Sequence, residues 1–270
     1  MSHSHASVVE NRALSSRLRR IVLRVDDPAA LGVRSAGDSA VGVYFAPDDH
    51  PDGEGRNYSV RHHDGPLITL DIALHAGGPG ITWATEASLG HRVVLDHARS
   101  WYRPPPQAQW QLLVSDLSGL PAVARIVETL PHPARTTLIV EVPAADDLDY
   151  LPRRDDVTVL PSLGTGNGTR PSALADAVRD HRMPPGPGYC WFAGEAAESR
   201  LVRKHLRSLG WERDHYDITG YWRVDSEAWD ARFAEAGDAA LTVYERALAE
   251  GKDEKLAFEE FDEVCERIGL

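Results

Sequence analysis

The chain has 270 residues, 42% hydrophobic and 26% charged, with a net charge of −12. That composition suits one or two globular domains with a sizeable core, and the acidic balance argues against bulk affinity for nucleic acid or an anionic membrane, since both need a basic face. The two cysteines, Cys190 and Cys265, give no disulfide framework and no metal-ligand spacing, which fits a reducing cytoplasm and implies that any metal chemistry acts on a metal arriving with its own ligands.

The first twenty residues lack the apolar centre of a secretory signal, and no apolar run approaches the ~18 residues of a membrane span. The expected location is cytoplasmic, without membrane insertion. The start, "MSHSH", reads as a loose polar terminus in which His3 and His5 need no metal. From about residue 6 to 103 the chain reads as β: "RLRRIVLRVDD", "AVGVYFAPDD", "RNYSVRHH", "LITLDIALHA" and "HRVVLDHA" are short runs separated by turn clusters. Strands at such intervals predict a small antiparallel barrel or sandwich. In "GRNYSVR" the alternation sets Tyr58 and Val60 on one face and Asn57, Ser59 and Arg61 on the other. His75 ends the next strand, before "AGGPGITWA". Gly77, Gly78 and Gly80 can let backbone N–H groups converge on a pyrophosphate, or simply make a tight turn that closes the barrel.

Prolines 104–106 form a stiff connector. Beyond it strands and helices alternate: "QWQLLVSD", "LSGLPAVARIVETLP", "RTTLIVEV", "DVTVLPSL", "RPSALADAVRDHR", "GYCWFAGE", "AAESRLVRKHLRSLG" and "YDITGYWR". Apolar strands alternating with helices predict a parallel α/β sheet, with ligands at the C-terminal strand ends. Asp116 and Ser118 stand at one such end, able either to cap the following helix or to flank a nucleotide. Gly194, Glu195 and Ala196 repeat the arrangement, as a close-approach site or as an ordinary turn. "GTGNG" at 164–168 lacks the Lys-Ser/Thr ending of a phosphate loop. The tail, 224–270, holds 14 acids and 5 bases, a net of −9 that leaves −3 for the rest. It reads as two amphipathic helices, with Phe258, Phe261, Val264 and Ile268 at helical spacing. The expected division is therefore 1–103, 104–223 and 224–270.

Arg56-x-Tyr58-Ser59-x-Arg61, "LHAGGPGITWA", "SDLSGLPAVARIVETLP", "WFAGEAAESRLVRKHLRSLGW" and the final "GYWR" occur in this order. Together they resemble the siderophore-interacting protein family, FAD-dependent ferric-siderophore reductases of the ferredoxin-reductase superfamily. The resemblance spans almost everything from the first strands to Arg223. It implies an N-terminal antiparallel FAD-binding barrel, a nicotinamide-binding α/β domain served by NADPH or NADH, and a helical extension. It also implies roles. Arg56, Tyr58 and Ser59 would hold FAD, with Arg61 in support of the loop. His75, Gly78, Pro79 and Thr82 would border the pyrophosphate and adenine half, beside the Trp83-Ala84 signature. Asp116, Ser118, Gly194, Glu195 and Ala196 would flank the nicotinamide cofactor, and Tyr221 and Trp222 would end the sheet near either cofactor. Three stretches depart from the family pattern: Leu117 replaces an acidic residue, Gly80-Ile81-Thr82 follows Gly-Pro where Ala-Ser is common, and "DHARSWYRPPP" replaces a Gly-Pro-Arg-Gly-like stretch. They fall on the nicotinamide side and the substrate mouth, so donor preference and siderophore identity stay open.

Reduction of Fe(III) to Fe(II) weakens the hold of hard oxygen donors, and a flavin accepts a hydride while passing electrons singly. An anionic ferric chelate would dock on basic residues. Arg103, Arg203, Lys204 and Arg207 are the candidates, against a plain solvated helix face for the last three. Arg153, Arg154 and Arg170 are candidates for a 2′-phosphate. The expected reductase would draw electrons from NADPH, NADH or a reduced electron-carrier protein. Two other functions stand beside it: a flavin reductase passing electrons to a protein partner, and a ferric-siderophore binding protein without turnover.

Overall fold

The computed structural model describes residues 3–46, 48, 53–75 and 77–270. Parts of the "APDDHPDGE" turn and Ala76 of the glycine turn lie outside the described residues. Six strands close an antiparallel barrel: β1 (His3–Ala13), β2 (Leu18–Val25), β3 (Ala40–Tyr44), β4 (Gly55–Asp64), β5 (Leu67–Ala73) and β6 (Arg92–Arg99), in the order β1-β2-β5-β4-β3-β6. β1 corrects the expectation of a loose terminus. Its Ser4, Ala6 and Val8 turn inward while His3 and His5 stay exposed, and it pairs with both β2 and β6. Without β1, β2 and β6 would be open edges. Ile21, Leu23, Val41, Val43, Val60, Leu70 and Leu95 fill the interior.

A four-residue α1 (Pro28–Leu31) follows β2, and α2 (Pro79–Glu86) stands between β5 and β6, where a tight turn is the simpler expectation. Gly78, at φ 100, precedes Pro79 in the first turn of α2. The glycine takes a φ barred to other residues, and the proline is preset for the helix start.

The α/β lobe holds β7 (Trp110–Ser115), α3 (Leu120–Thr129), β8 (Thr136–Val142), β9 (Val157–Leu163), α4 (Leu174–Asp180), β10 (Gly188–Glu195), α5 (Ala196–Ser208) and β11 (Tyr216–Trp222). The sheet order is β11-β10-β7-β8-β9, and β7, β8, β9 and β10 pair in parallel. The direction of winding reverses between β7 and β10, so the crevice for ligands lies at Ser115 and Ala193. β9 is an exposed edge, with Leu160 and Leu163 41% and 50% exposed. Only a short 3₁₀ helix, Ala145–Tyr150, stands between β8 and β9, in place of an α-helix that would cover the edge.

Polar contacts bind barrel to sheet. Between Val60 and His62 the β4–β5 register slips, leaving Arg61 the extra residue of a bulge. A bulge re-aims its side chain, and the Arg61 guanidinium meets both carboxylate oxygens of Glu128 on α3, one at 2.7 Å. Arg125 of α3 donates to the Val60 carbonyl at 2.7 Å. Arg20 grips Asp71 through two 2.7 Å bonds, and the Tyr150 hydroxyl donates to the same carboxylate. Barrel and sheet form one compact unit, residues 1–221, and 222–270 form a second.

The C-terminal unit has three helices where two are expected: α6 (Ser226–Ala236), α7 (Asp238–Ala249) and α8 (Glu254–Arg267). The break falls at Gly237, whose N–H donates to the Phe233 carbonyl at 2.7 Å. Trp229 stacks on Phe233 at 4.8 Å, and these rings with Phe261 enclose Ala240, Val264 and Cys265. Cys190 lies in the sheet core, its thiol pKa pushed up by burial. No helix among the described residues is long and apolar enough to cross a membrane.

Gly37 tests how tightly the turn before β3 is held. A Cβ there would lie 2.9 Å from the Ile126 Cα on α3. Gly37→Ala should cost about 1–3 kcal/mol, as overpacking does, read as a lowered midpoint in thermal unfolding.

Candidate functional site

A cleft lies between β4 and the end of β11. Asn57, Tyr58 and Ser59 form one wall, Thr219, Gly220 and Tyr221 another, and Arg99, Ser100, Trp101 and Asp38 complete it. It offers about 70 Å³, against roughly 300–1,000 Å³ for a pocket that engulfs its ligand. A large ring system would lie along this cleft with part of its surface open.

On the β4 wall the Tyr58 ring packs beside Trp83 at 6.1 Å, and Trp83 stacks on Phe45 at 5.1 Å. Burial pushes the Tyr58 hydroxyl pKa well up, with Arg56 opposing. Burial likewise raises that of Tyr221, so both phenols stay protonated at neutral pH. Ser59 Oγ donates to the Tyr221 hydroxyl at 3.3 Å, joining the walls. Arg56 is exposed and its stem runs past Gly80, 3.5 Å from where a Cβ would stand. The start of α2 is thus brought against Arg56 and Tyr58. His75, Gly78 and Thr82 are exposed there with Pro79 between them, and Thr82 Oγ1 donates to the Gly78 carbonyl at 3.3 Å.

Two expected cofactor contacts have other places. Arg61 is buried by the bulge and spent on Glu128. Trp83 is 5% exposed in the barrel core, where it backs Tyr58. Trp222, one residue past the cleft, belongs to the C-terminal unit.

At the sheet's reversal point Asp116 is buried, and its Oδ1 accepts from the N–H of Ser118 at 2.8 Å and from its hydroxyl at 2.5 Å. This is the capping role, on the short turn Leu117–Gly119. A Cβ on Gly194 would stand 3.1 Å from Asp116 Oδ2, so the two expected stretches do meet. Glu195 caps α5, accepting from the N–H groups of Ala197 at 2.7 Å and Glu198 at 3.2 Å. Ala196 is pressed by β11: a Cβ on Gly220 would come within 2.8 Å of its Cα. That close approach sets Tyr221 into the cleft. The "GTGNG" loop wraps the buried carboxylate of Glu141, which accepts from Thr165 Oγ1 at 2.8 Å, Ser172 Oγ at 2.8 Å and the Ala173 N–H at 2.7 Å. A loop closed on an acid is no phosphate cradle.

The expected substrate cations separate. Arg203 is buried and donates to the Ile218 carbonyl at 3.3 Å, because its position on α5 faces the sheet. Arg207 is half-buried and donates to the Tyr216 hydroxyl at 2.9 Å. Lys204 and Arg103 are exposed. Arg154 is committed to Asp156 and to the carbonyls of Val127 and Leu130, and Arg153 lies 3.5 Å from Asp149. Arg170 is exposed in the loop after β9. Glu212, Asp214 and His215 bring donor atoms within 4.8 Å of one another on the turn before β11.

Sequence reading missed Asp38, Arg99 and Trp101. An Asp before a strand reads as an ordinary turn former, Arg99 is the last residue of β6, and Trp101 sits in a connector with no periodicity. Only the fold carries these segments to β4.

With this geometry in view, residues 108–225 match the family model for siderophore-interacting protein. A solved siderophore utilization protein from T. fusca is 30% identical, with a TM-score of 0.68 over 82% of this chain and 92% of that one. The chain belongs to the siderophore-interacting protein family. The siderophore-interacting protein of Acinetobacter baumannii superposes with a TM-score of 0.74 at 20% identity, over 88% of this chain and 99% of the other. The fold is ferredoxin-reductase-like. An uncharacterised protein of Mycobacterium tuberculosis is 32% identical over 189 residues, and the ferric vibriobactin reductase of Vibrio cholerae 28% over 177. Each match takes up 62% of this chain, and the chain spans 64% of the length of these curated relatives.

A Cβ on Gly80 would run into the Tyr58 hydroxyl. Gly80→Ala should therefore destabilise the chain, and Tyr58→Phe should relieve part of the loss. A double-mutant cycle in denaturant should give a coupling of about 0.5–3 kcal/mol, the range for touching residues.

Proposed function

We propose that this protein is an FAD-dependent reductase of ferric siderophores that draws electrons from NADPH or NADH. The observation that carries the reading is the meeting of Arg56, Tyr58 and Ser59 of β4 with the first turn of α2 on one side and Tyr221 on the other. Family membership and the reductase name of the Vibrio relative support it.

The residues fit a flavin dinucleotide. Gly80 leaves the α2 backbone free of a side chain where Arg56 and Tyr58 approach. The exposed guanidinium of Arg56 suits a phosphate. The Tyr58 ring offers a flat apolar face, and Ser59 a hydroxyl that can donate or accept. When bound, FAD would accept a hydride and return its electrons singly. The chain's own part is to hold and order. Tyr58 is braced from behind by Trp83, so the ring would meet the flavin without reorganising. Tyr221, held by Ser59 and by the close fit of Gly220 on Ala196, would cover the opposite wall and exclude water.

Asp116 and Glu195 bring two carboxylates to the reversal point, acceptors that suit ribose hydroxyls more than phosphates. Arg170 and Arg153 remain the exposed cations for a 2′-phosphate. One hydride carries two electrons, enough to reduce two ferric chelates with release of one proton. Arg103 and Lys204 are the exposed cations for an anionic chelate, and the iron enters as substrate within its own ligands.

The purified protein should turn yellow with FAD, bleach with NADPH or NADH, and regain colour with a ferric siderophore. Arg56→Ala should weaken FAD binding by about 10- to 150-fold, the worth of a charge-assisted hydrogen bond, in a fluorescence titration. A protein that takes up no FAD refutes the reading.

A further inference from the structure

Asp38 is a buried acid in the wall of the cleft, and neither the family resemblance nor the sequence patterns single it out. Its carboxylate takes four donors. Ser100 Oγ bonds to Oδ1, while the backbone N–H groups of Trp101 at 3.0 Å and Tyr102 at 2.8 Å, and the Trp191 indole N–H at 3.4 Å, point to Oδ2. Four donors suit the ionised carboxylate. Arg99, which lines the same cleft, stacks over the Trp101 ring at 5.2 Å. The site thus carries a fixed negative charge in a wall only 7% exposed at Asp38, where a charge acts with little screening.

We propose that Asp38 sets the reducing strength of the flavin in this cleft, an inference that rests on the function proposed above. A fixed negative charge beside a group that gains electrons makes their addition costlier. Asp38 therefore lowers the flavin's reduction potential and strengthens it as a donor to ferric chelates. The residue acts by its field and by holding the connector at 100–102. The two effects separate by substitution. In Asp38→Asn an oxygen in the Oδ2 position keeps three donors, and an amide in the Oδ1 position can donate to the Ser100 hydroxyl, which then accepts. The charge goes while the hydrogen bonds can persist.

The test is a spectroelectrochemical titration of the full chain reconstituted with FAD. Asp38→Asn should raise the midpoint potential by about 30 mV or more, a tenfold change for a two-electron couple, with FAD affinity within about threefold of the parent. Ser100→Ala keeps the charge and removes a donor that offsets it, so its potential should fall. An unchanged potential in Asp38→Asn that still binds FAD overturns the proposal, as does a rise in Ser100→Ala. Loss of FAD by Asp38→Asn alone overturns it too, by making Asp38 a binding residue. If the parent chain takes up no FAD, it is the proposed function that fails, and the role of Asp38 with it.

Discussion

Four donors from two separate stretches of chain meet on the carboxylate of Asp38, and that meeting sets where the barrel gives way to the sheet. Ser100, Trp101 and Tyr102 open the connector between lobes, while Trp191 stands within β10. One buried charge left without these partners would be strongly destabilising, so connector, barrel and sheet are held in a single relative placement. Gly37 lets the preceding backbone press on α3, where any side chain would collide with Ile126. The walls of the cleft inherit their spacing from this knot.

Other polar side chains also run from one lobe to a group of the other. Arg61 reaches Glu128, Arg125 reaches the Val60 carbonyl, and Tyr150 shares Asp71 with Arg20. Such bonds are directional, so they fix orientation more than they add stability. A site built across two lobes needs that fixity, because a loosely held wall cannot preorganise a ring and a hydroxyl for one ligand. The net charge of the chain obscures this local economy. Most of the acidity lies in the C-terminal unit, while Arg56, Arg99 and Arg103 stand along or beside the cleft.

The fold was largely legible in the sequence. Alternating runs marked five of the six barrel strands, and apolar runs between helices marked the parallel sheet. β1 was the exception, since "HSHASVVENRA" alternates but is too polar outside to stand apart from a frayed terminus. α2 was hidden because Gly-Gly-Pro-Gly reads equally as a turn, and β9 read as one more apolar strand because its residues do not show that it is the exposed edge of the sheet. At the site, Tyr58 and Ser59 were legible from strand alternation, and Asp116 from its place before a helix. Arg61 was not, because its partner Glu128 lies on α3, far along the chain, and only docking of the lobes buries the pair. Arg203 was not, because three cations on one helix look alike until the helix is docked.

Resemblance to a family supplied the residues expected to meet a flavin. The sequence by itself determined the types of most elements, the parallel sheet and the concentration of acid at the C-terminal end. These follow from periodicity, backbone preference and spacing, all local properties. Only the tertiary structure decided which polar groups face one another. It buried Arg61 and Arg203, closed the glycine loop on Glu141, and brought Asp38 to Ser100, 62 residues away along the chain. The physical reason is that a local pattern records which face of an element is apolar, whereas the partner of a buried charge is chosen by packing between distant segments.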